Sequence, residues 1–169
     1  MTDRILRWLP LPLLVLLADW ASKAWILRRV REHEILTVIP GFFNLTLGFN
    51  SGAIFGSLQG APAPWRSALF TLAGVVALGY FGWEFLKAGT PRLQRTALGL
   101  ILGGILGNGF DRLAHGAVVD FLDFVFWGWH YWTFNLADSA IVCGAILLGL
   151  TLLLDGRKTA GDGAGGHSR

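Results

Sequence analysis

Four apolar stretches, each close to the length of a membrane-crossing helix, divide this chain and leave little of it for anything else. They run from about Trp8 to Leu27, Ser67 to Leu86, Thr96 to Leu113 and Phe134 to Leu154. A helix needs about 20 predominantly apolar residues to cross the hydrocarbon core. In lipid the backbone must satisfy its own hydrogen bonds, so such stretches fold as helices. Composition agrees: 15% of the 169 residues are charged and 53% are hydrophobic, with 8 Trp and 12 Phe. An ordinary soluble domain carries about a quarter charged residues. The expected fold class is therefore an all-α polytopic membrane protein with four transmembrane helices. Residues 1–154 form one integral membrane domain, and the Gly-rich, polar residues 155–169 are expected to be a disordered tail.

The first stretch begins like a signal peptide, with Arg4 and Arg7 ahead of an apolar run. That run meets Asp19 and Trp20 rather than a small-residue cleavage site, so it is read as a retained span. The Lys/Arg bias orients the spans. With the N-terminus inside, Arg4, Arg7, Lys87, Arg92, Arg95, Arg157, Lys158 and Arg169 are cytoplasmic; Arg28, Arg29, Arg31, Arg66 and Arg112 are outside. Both termini are thus expected in the cytoplasm, with Arg28-Arg29-Val30-Arg31 on the unfavoured side.

Gly99, Gly103 and Gly107 recur every four residues on the third stretch, and Ala140 and Gly144 on the fourth. Small residues at this spacing let helices approach closely in lipid. Between the first two stretches, Ile35-Leu36-Thr37-Val38-Ile39 and Phe42-Phe43-Asn44-Leu45-Thr46-Leu47 flank Pro40-Gly41, a strand–turn–strand signal. A lone ribbon is marginal, so it should rest on the membrane surface or against the bundle.

Several chemistries are disfavoured. The single Cys143 excludes an intramolecular disulfide and reads as apolar packing. His33, His115, His130 and His167 are scattered, with no HExxH or paired-cysteine pattern to bind a metal. A net charge of +3 suits anionic lipid headgroups better than nucleic acid.

Charged groups near a bilayer are costly, and their default reading is functional. With four alternating spans, nearly all the unusual polar residues fall on one outer face. Asp19 and Lys23 lie at i and i+4 on the first span. Asn50 follows the β-prone segment, and Asn108, Asp111 and Arg112 close the third span. Asp120 sits in the second outer loop, and Asn135 and Asp138 open the fourth span. Asp19 and Lys23 read as a helix-stabilising ion pair. Asp111 and Arg112 read either as an interfacial pair or as a substrate contact. Asp123 reads as a solvated loop residue, and Asp138 equally well as a helix cap or a catalytic acid. Asp111, Asp120 and Asp138 thus compete for membership of a catalytic pair. Two carboxylates that meet in a low dielectric share one proton, which yields a base for water and an acid for a carbonyl. A proton relay through Asp19, Lys23 and Asp138 is a competing reading, though a relay should reach both faces. A non-enzymatic scaffold is another, and it leaves Asn50, Asn108 and Asn135 unexplained.

The blocks Asp19-Trp20-Ala21-Ser22-Lys23, Asn50-Ser51-Gly52-Ala53, Gly107-Asn108-Gly109-Phe110-Asp111-Arg112, Val118-Val119-Asp120-Phe121 and Phe134-Asn135-Leu136-Ala137-Asp138-Ser139 resemble, in order, those of the bacterial lipoprotein signal peptidases. The likeness covers about residues 10 to 154. It implies four transmembrane helices with a small extracytoplasmic β-cradle and an outer loop over the active site. It also implies an intramembrane aspartic endopeptidase that cleaves diacylglyceryl-modified prolipoproteins before the lipidated cysteine. The resemblance selects Asp120 and Asp138 as the catalytic dyad. Asp19, Lys23, Asn50, Gly104, Asn108, Asp111, Arg112 and Asn135 are then substrate-binding or supporting residues. Water is the nucleophile, so no cofactor or metal is expected. The partners are diacylated prolipoproteins and membrane lipids, with no nucleic acid, and the protein is expected to be a monomer of the bacterial inner membrane. Ile54, and Gly109-Phe110 before Asp111, depart from the family's usual residues; Phe110 could alter the pocket.

Overall fold

Helix α1, Pro10–Arg29, is apolar around most of its circumference, starts with proline at its first turn and ends with Arg28 and Arg29. Cations there complement the negative end of the helix dipole, which gives these two arginines a local structural role. The computed structural model describes residues 6–52 and 62–164. After α1 come strands β1, Ile35–Ile39, and β2, Phe43–Asn50, then helices α2, Ala63–Leu86, and α3, Arg92–His115. Strands β3, Val118–Phe126, and β4, Trp129–His130, lead into helix α4, Leu136–Ala164.

Among the described residues, three helical segments are long and apolar enough to cross a membrane: Pro10–Arg29, Pro64–Leu86 and Leu136–Leu154. The expected third span, now α3, has the length but not the apolarity. It is the hub of the bundle and packs on α1, α2 and α4, so protein rather than lipid surrounds much of it and its polar residues are tolerated. Leu14, Leu72, Val76, Trp83, Ile146 and Leu153 of the other helices are exposed. So many exposed large apolar side chains fit a lipid-facing surface rather than a water-facing one.

The glycine stripe does what its spacing suggested. A Cβ at Gly103 would sit 2.6 Å from Val15 Cβ and 2.7 Å from the Pro12 carbonyl of α1, and one at Gly107 2.5 Å from Asp19 Oδ2. Gly104 faces the opposite neighbour, where a Cβ would collide with the Ala137 carbonyl of α4. Gly144 returns the contact, since a Cβ there would lie 2.7 Å from Ala97 O. Gly104 is therefore a packing residue between α3 and α4.

The ribbon is not alone. β1, β2, β3 and β4 form one antiparallel sheet in that order. The segment expected as a second outer loop is largely strand β3, whose alternating β-branched and aromatic residues are interrupted by Asp120 and Asp123. Leu47, Val119 and Phe121 pack on Ile26 and Val30 at the end of α1, fixing the sheet to the bundle. Helix α3 ends at Gly116 in the left-handed conformation (φ 72°), its N–H donating to the Arg112 carbonyl at 3.0 Å. β3 begins two residues later, so the end of α3 and the start of β3 are held side by side. The disordered tail expected from Asp155 is helical instead as far as Ala164. Adding residues to an existing helix is far easier than nucleating one, and the apolar span supplies the nucleus. Residues 165–169, like Ala53 and Ile54, lie outside the described residues.

Candidate active site

Chain connectivity brings the ends of α1 and α3 and the start of α4 to the end of the bundle that carries the sheet. Backbone and side-chain hydrogen bonds then fix the polar residues. Asn135 precedes α4 and accepts the Asp138 N–H on Oδ1 at 2.9 Å, while Asp138 Oδ2 accepts the Asn135 N–H at 3.3 Å. This reciprocal capping box satisfies two helix N–H groups that would otherwise lack partners. Of the two readings of Asp138 from sequence, a helix cap or a catalytic acid, the cap is seen directly, and it leaves the second carboxylate oxygen free to face another partner. Asp138 caps with Oδ2 and presents Oδ1 to Asn108 Nδ2 at 2.7 Å.

Asp120, on β3, is 2% exposed. Its Oδ1 accepts from Asn135 Nδ2 at 2.7 Å and its Oδ2 from Asn50 Nδ2 at 3.0 Å. A register irregularity between Leu45 and Gly48 of β2 precedes the stretch where Gly48 pairs with Asp120 and Asn50 with Val118. Burial first, then the Asp138 charge, pushes the Asp120 carboxyl up to about 7 against the hydrogen bonds from the two asparagines. Loss of water around a carboxylate disfavours the charged form, and a like charge adds to that.

Beneath this layer lies a buried ion network. Lys23 Nζ is 2.7 Å from Asp19 Oδ2 and 2.7 Å from Asp111 Oδ2, and it donates to Asn108 Oδ1 at 3.1 Å. The remaining Asp19 oxygen accepts from Ala137 N at 2.9 Å, and Asp111 Oδ2 from Val119 N at 3.0 Å. Lys23 therefore ties α1 to α3, and through the two aspartates to α4 and β3. The sequence reading of Asp19 and Lys23 as a local helix pair was too narrow. Its cause is plain: the second carboxylate lies 88 positions away, beyond any periodicity. Asp111 pairs with Lys23, which tells against the interfacial-pair alternative of the two readings left open for Asp111 and Arg112. Arg112 donates to the Asn108 carbonyl at 3.3 Å and lies 5.8 Å from the centroid of the Phe70 ring. It also feels the charges of Asp138, Asp120 and Asp111.

Asp120 and Asp138 line one cavity of about 810 Å³, with Gly48, Phe49 and Asn50 of β2, Tyr131 to Phe134, and Ser139, Val142 and Cys143 of α4. Asp111 faces the ion network and is absent from that lining. Phe110 is half exposed and also absent from it, so its departure from the family pattern does not reshape this cavity. No cluster of metal-ligating side chains occurs among the described residues. Asp123, expected as a solvated loop residue, is 3% exposed and bonded to Asn44 and His130. The signal for it was the period-2 pattern of β3, which the two aspartates obscured.

The architecture is that of a helical, membrane-type protein with a small antiparallel sheet and a pair of aspartates in a cavity at their junction. A family model for signal peptidase II matches residues 11–154. The chain is 46% identical over 141 residues to the lipoprotein signal peptidase of Burkholderia multivorans, covering 83% of this chain and 84% of that protein. It is 41% identical over 143 residues to the lipoprotein signal peptidase of Chromobacterium violaceum, covering 84% and 88%. A solved structure described as a bacterial membrane enzyme determined in meso superposes with a TM-score of 0.77, at 31% identity over 88% of each chain. The chain belongs to the signal peptidase II family and is a peptidase.

Proposed function

We propose that the chain is a lipoprotein signal peptidase of the bacterial inner membrane, an aspartic endopeptidase that removes signal peptides from diacylglyceryl-modified prolipoproteins just before the lipidated cysteine. The observation that carries the chemistry is the shared cavity of Asp120 and Asp138, in which each carboxylate is oriented by asparagine amides. A carboxyl held near neutrality beside a second carboxylate keeps one proton on the pair around pH 7. The ionised member takes a proton from water as the water attacks the scissile carbonyl. The protonated member donates to the carbonyl oxygen, and collapse of the tetrahedral intermediate returns a proton to the leaving amine.

In this reading α3 spans the membrane as the fourth transmembrane helix, sheltered by its neighbours. Both termini are cytoplasmic, the sheet is the extracytoplasmic cradle, and the protein acts as a monomer. The scissile bond of a lipid-anchored substrate lies at the membrane surface, and the sheet end of the bundle is where the polar residues gather. The test is cleavage of a diacylated precursor by the purified protein, with the mature product located by mass. A cut before the lipidated cysteine, and none in the same precursor without its diacylglyceryl group, supports the assignment. Equal cleavage of both would remove the lipid requirement.

A further inference from the structure

A second polar cluster lies outside the dyad. Asp123 on β3 is buried, and its Oδ2 accepts from Asn44 Nδ2 of β2 at 2.9 Å. His130, on the two-residue strand β4, places Nδ1 2.9 Å from Asp123 Oδ1 and 3.0 Å from Oδ2. Both neighbours are carboxylate oxygens, so Nδ1 is the donor in this pair. Three strands are thereby joined through one buried carboxylate. A buried carboxylate is tolerated only when hydrogen-bonded, and here the donors come from the strands on either side.

What this cluster holds matters for the cavity. His130 directly precedes Tyr131, Trp132, Thr133 and Phe134, which form one wall of the cavity containing Asp120 and Asp138. The strand that anchors this wall is short, pairing only at Val125 with His130 and Phe126 with Trp129. Backbone bonds hold the two ends of the wall, Tyr131 N to Phe124 O at 2.8 Å and Phe134 N to Leu122 O at 3.2 Å. Its rings stack edge to face, Tyr131 on Trp132 at 6.1 Å and on Phe134 at 6.0 Å, so a shift at one end passes along the wall. Two strand pairs are marginal by themselves, and a charge-assisted side-chain bond adds to them.

We propose that Asn44, Asp123 and His130 form a clamp that fixes the Tyr131–Phe134 wall of the catalytic cavity, making His130 a positioning residue that sets how the substrate fits. This rests on reading the Asp120–Asp138 cavity as the peptidase site. Gly48, Phe49 and Asn50, which also line the cavity, belong to β2, the strand that supplies Asn44. The clamp therefore ties two of the segments that line the cavity to one another through β3. His130 touches no reacting group and acts through the segment it holds.

The test uses the full-length protein in detergent, with two readouts. His130→Ala should speed backbone hydrogen exchange at residues 131–134 while leaving residues 118–122 protected. It should also raise KM about tenfold with kcat within about twofold, the pattern of lost substrate binding rather than lost chemistry. His130→Asn sets an amide donor where Nδ1 stood and should restore both. His130→Gln carries its donor too far out and provides a second disrupting variant. Unchanged exchange in His130→Ala, or Asn no better than Ala, would overturn the clamp. A fall in kcat at constant KM would overturn its role in substrate fit. If the wild-type protein leaves the diacylated precursor intact, the peptidase reading fails, and the exchange measurement still decides whether the clamp exists.

Discussion

Asn135 and Asp138 cap each other, the side chain of each accepting the backbone N–H of the other at 2.9 and 3.3 Å. The same Asn135 amide reaches Asp120 Oδ1 at 2.7 Å. One helix start therefore orients both aspartates of the proposed dyad. Asn135→Ala should lower stability by about 1–2 kcal/mol through the lost cap, read as a lower Tm in detergent, and should reduce cleavage further than Tm loss explains. Asn135→Ser can cap but cannot reach Asp120. It should recover Tm and leave activity low; recovery of both would show that the bond to Asp120 is dispensable.

The Lys23 network makes a sharper stability prediction. Lys23→Met leaves Asp19 and Asp111 buried without their cation, and breaking a buried pair by removing one partner costs about 3–5 kcal/mol. Thermal unfolding of the purified variant should show a large fall in Tm. A Tm within a degree or two of wild type (about 0.5 kcal/mol or less) would mean that Lys23 does not hold the two carboxylates together in the folded protein.

Asp120 sets the pH dependence. Its carboxyl is raised from 3.8 to about 7, so the folded state binds its proton more tightly than the unfolded chain does. The resulting stability is fully present below about pH 4 and is lost as pH rises through 7. Catalysis needs one proton on the pair, so kcat/KM should decline above about pH 7 as that proton leaves. Asp120→Asn should flatten the stability change over this interval. An unaltered stability profile in that variant would assign the titration to another group.

Gly104 tests the packing between α3 and α4. A methyl group there meets the Ala137 carbonyl and Ile141, and overpacking of this kind costs about 1–3 kcal/mol. Gly104→Ala should lower Tm and disturb Ala137, the residue before Asp138, so activity should fall with it. Gly109→Ala, facing open space on the same helix, should change neither and serves as the matched control.

Much of this arrangement was legible in the residues. Apolar run length located the helices, and the Gly99-Gly103-Gly107 spacing foretold the face that α1 covers. Strand signals placed β1 and β2 because their apolar residues are uninterrupted. β3 reads as a loop from sequence because Asp120 and Asp123 break its pattern, and only pairing with β2 shows why acids sit there. That misreading also hid Asn44 and His130, whose role depends on partners 79 and 7 positions away. Physical reasoning from sequence left Asp111 level with Asp120 and Asp138. In the structure Asp111 is consumed by Lys23, while the other two share the cavity.

The central claim, that Asp120 and Asp138 together perform the hydrolysis, is tested most directly by a gel-shift cleavage assay on a diacylated prolipoprotein with Asp120→Asn and Asp138→Asn. Both variants should insert and remain folded, with their Tm measured alongside, and both should leave the precursor uncut. Retained cleavage by either folded variant would contradict the dyad.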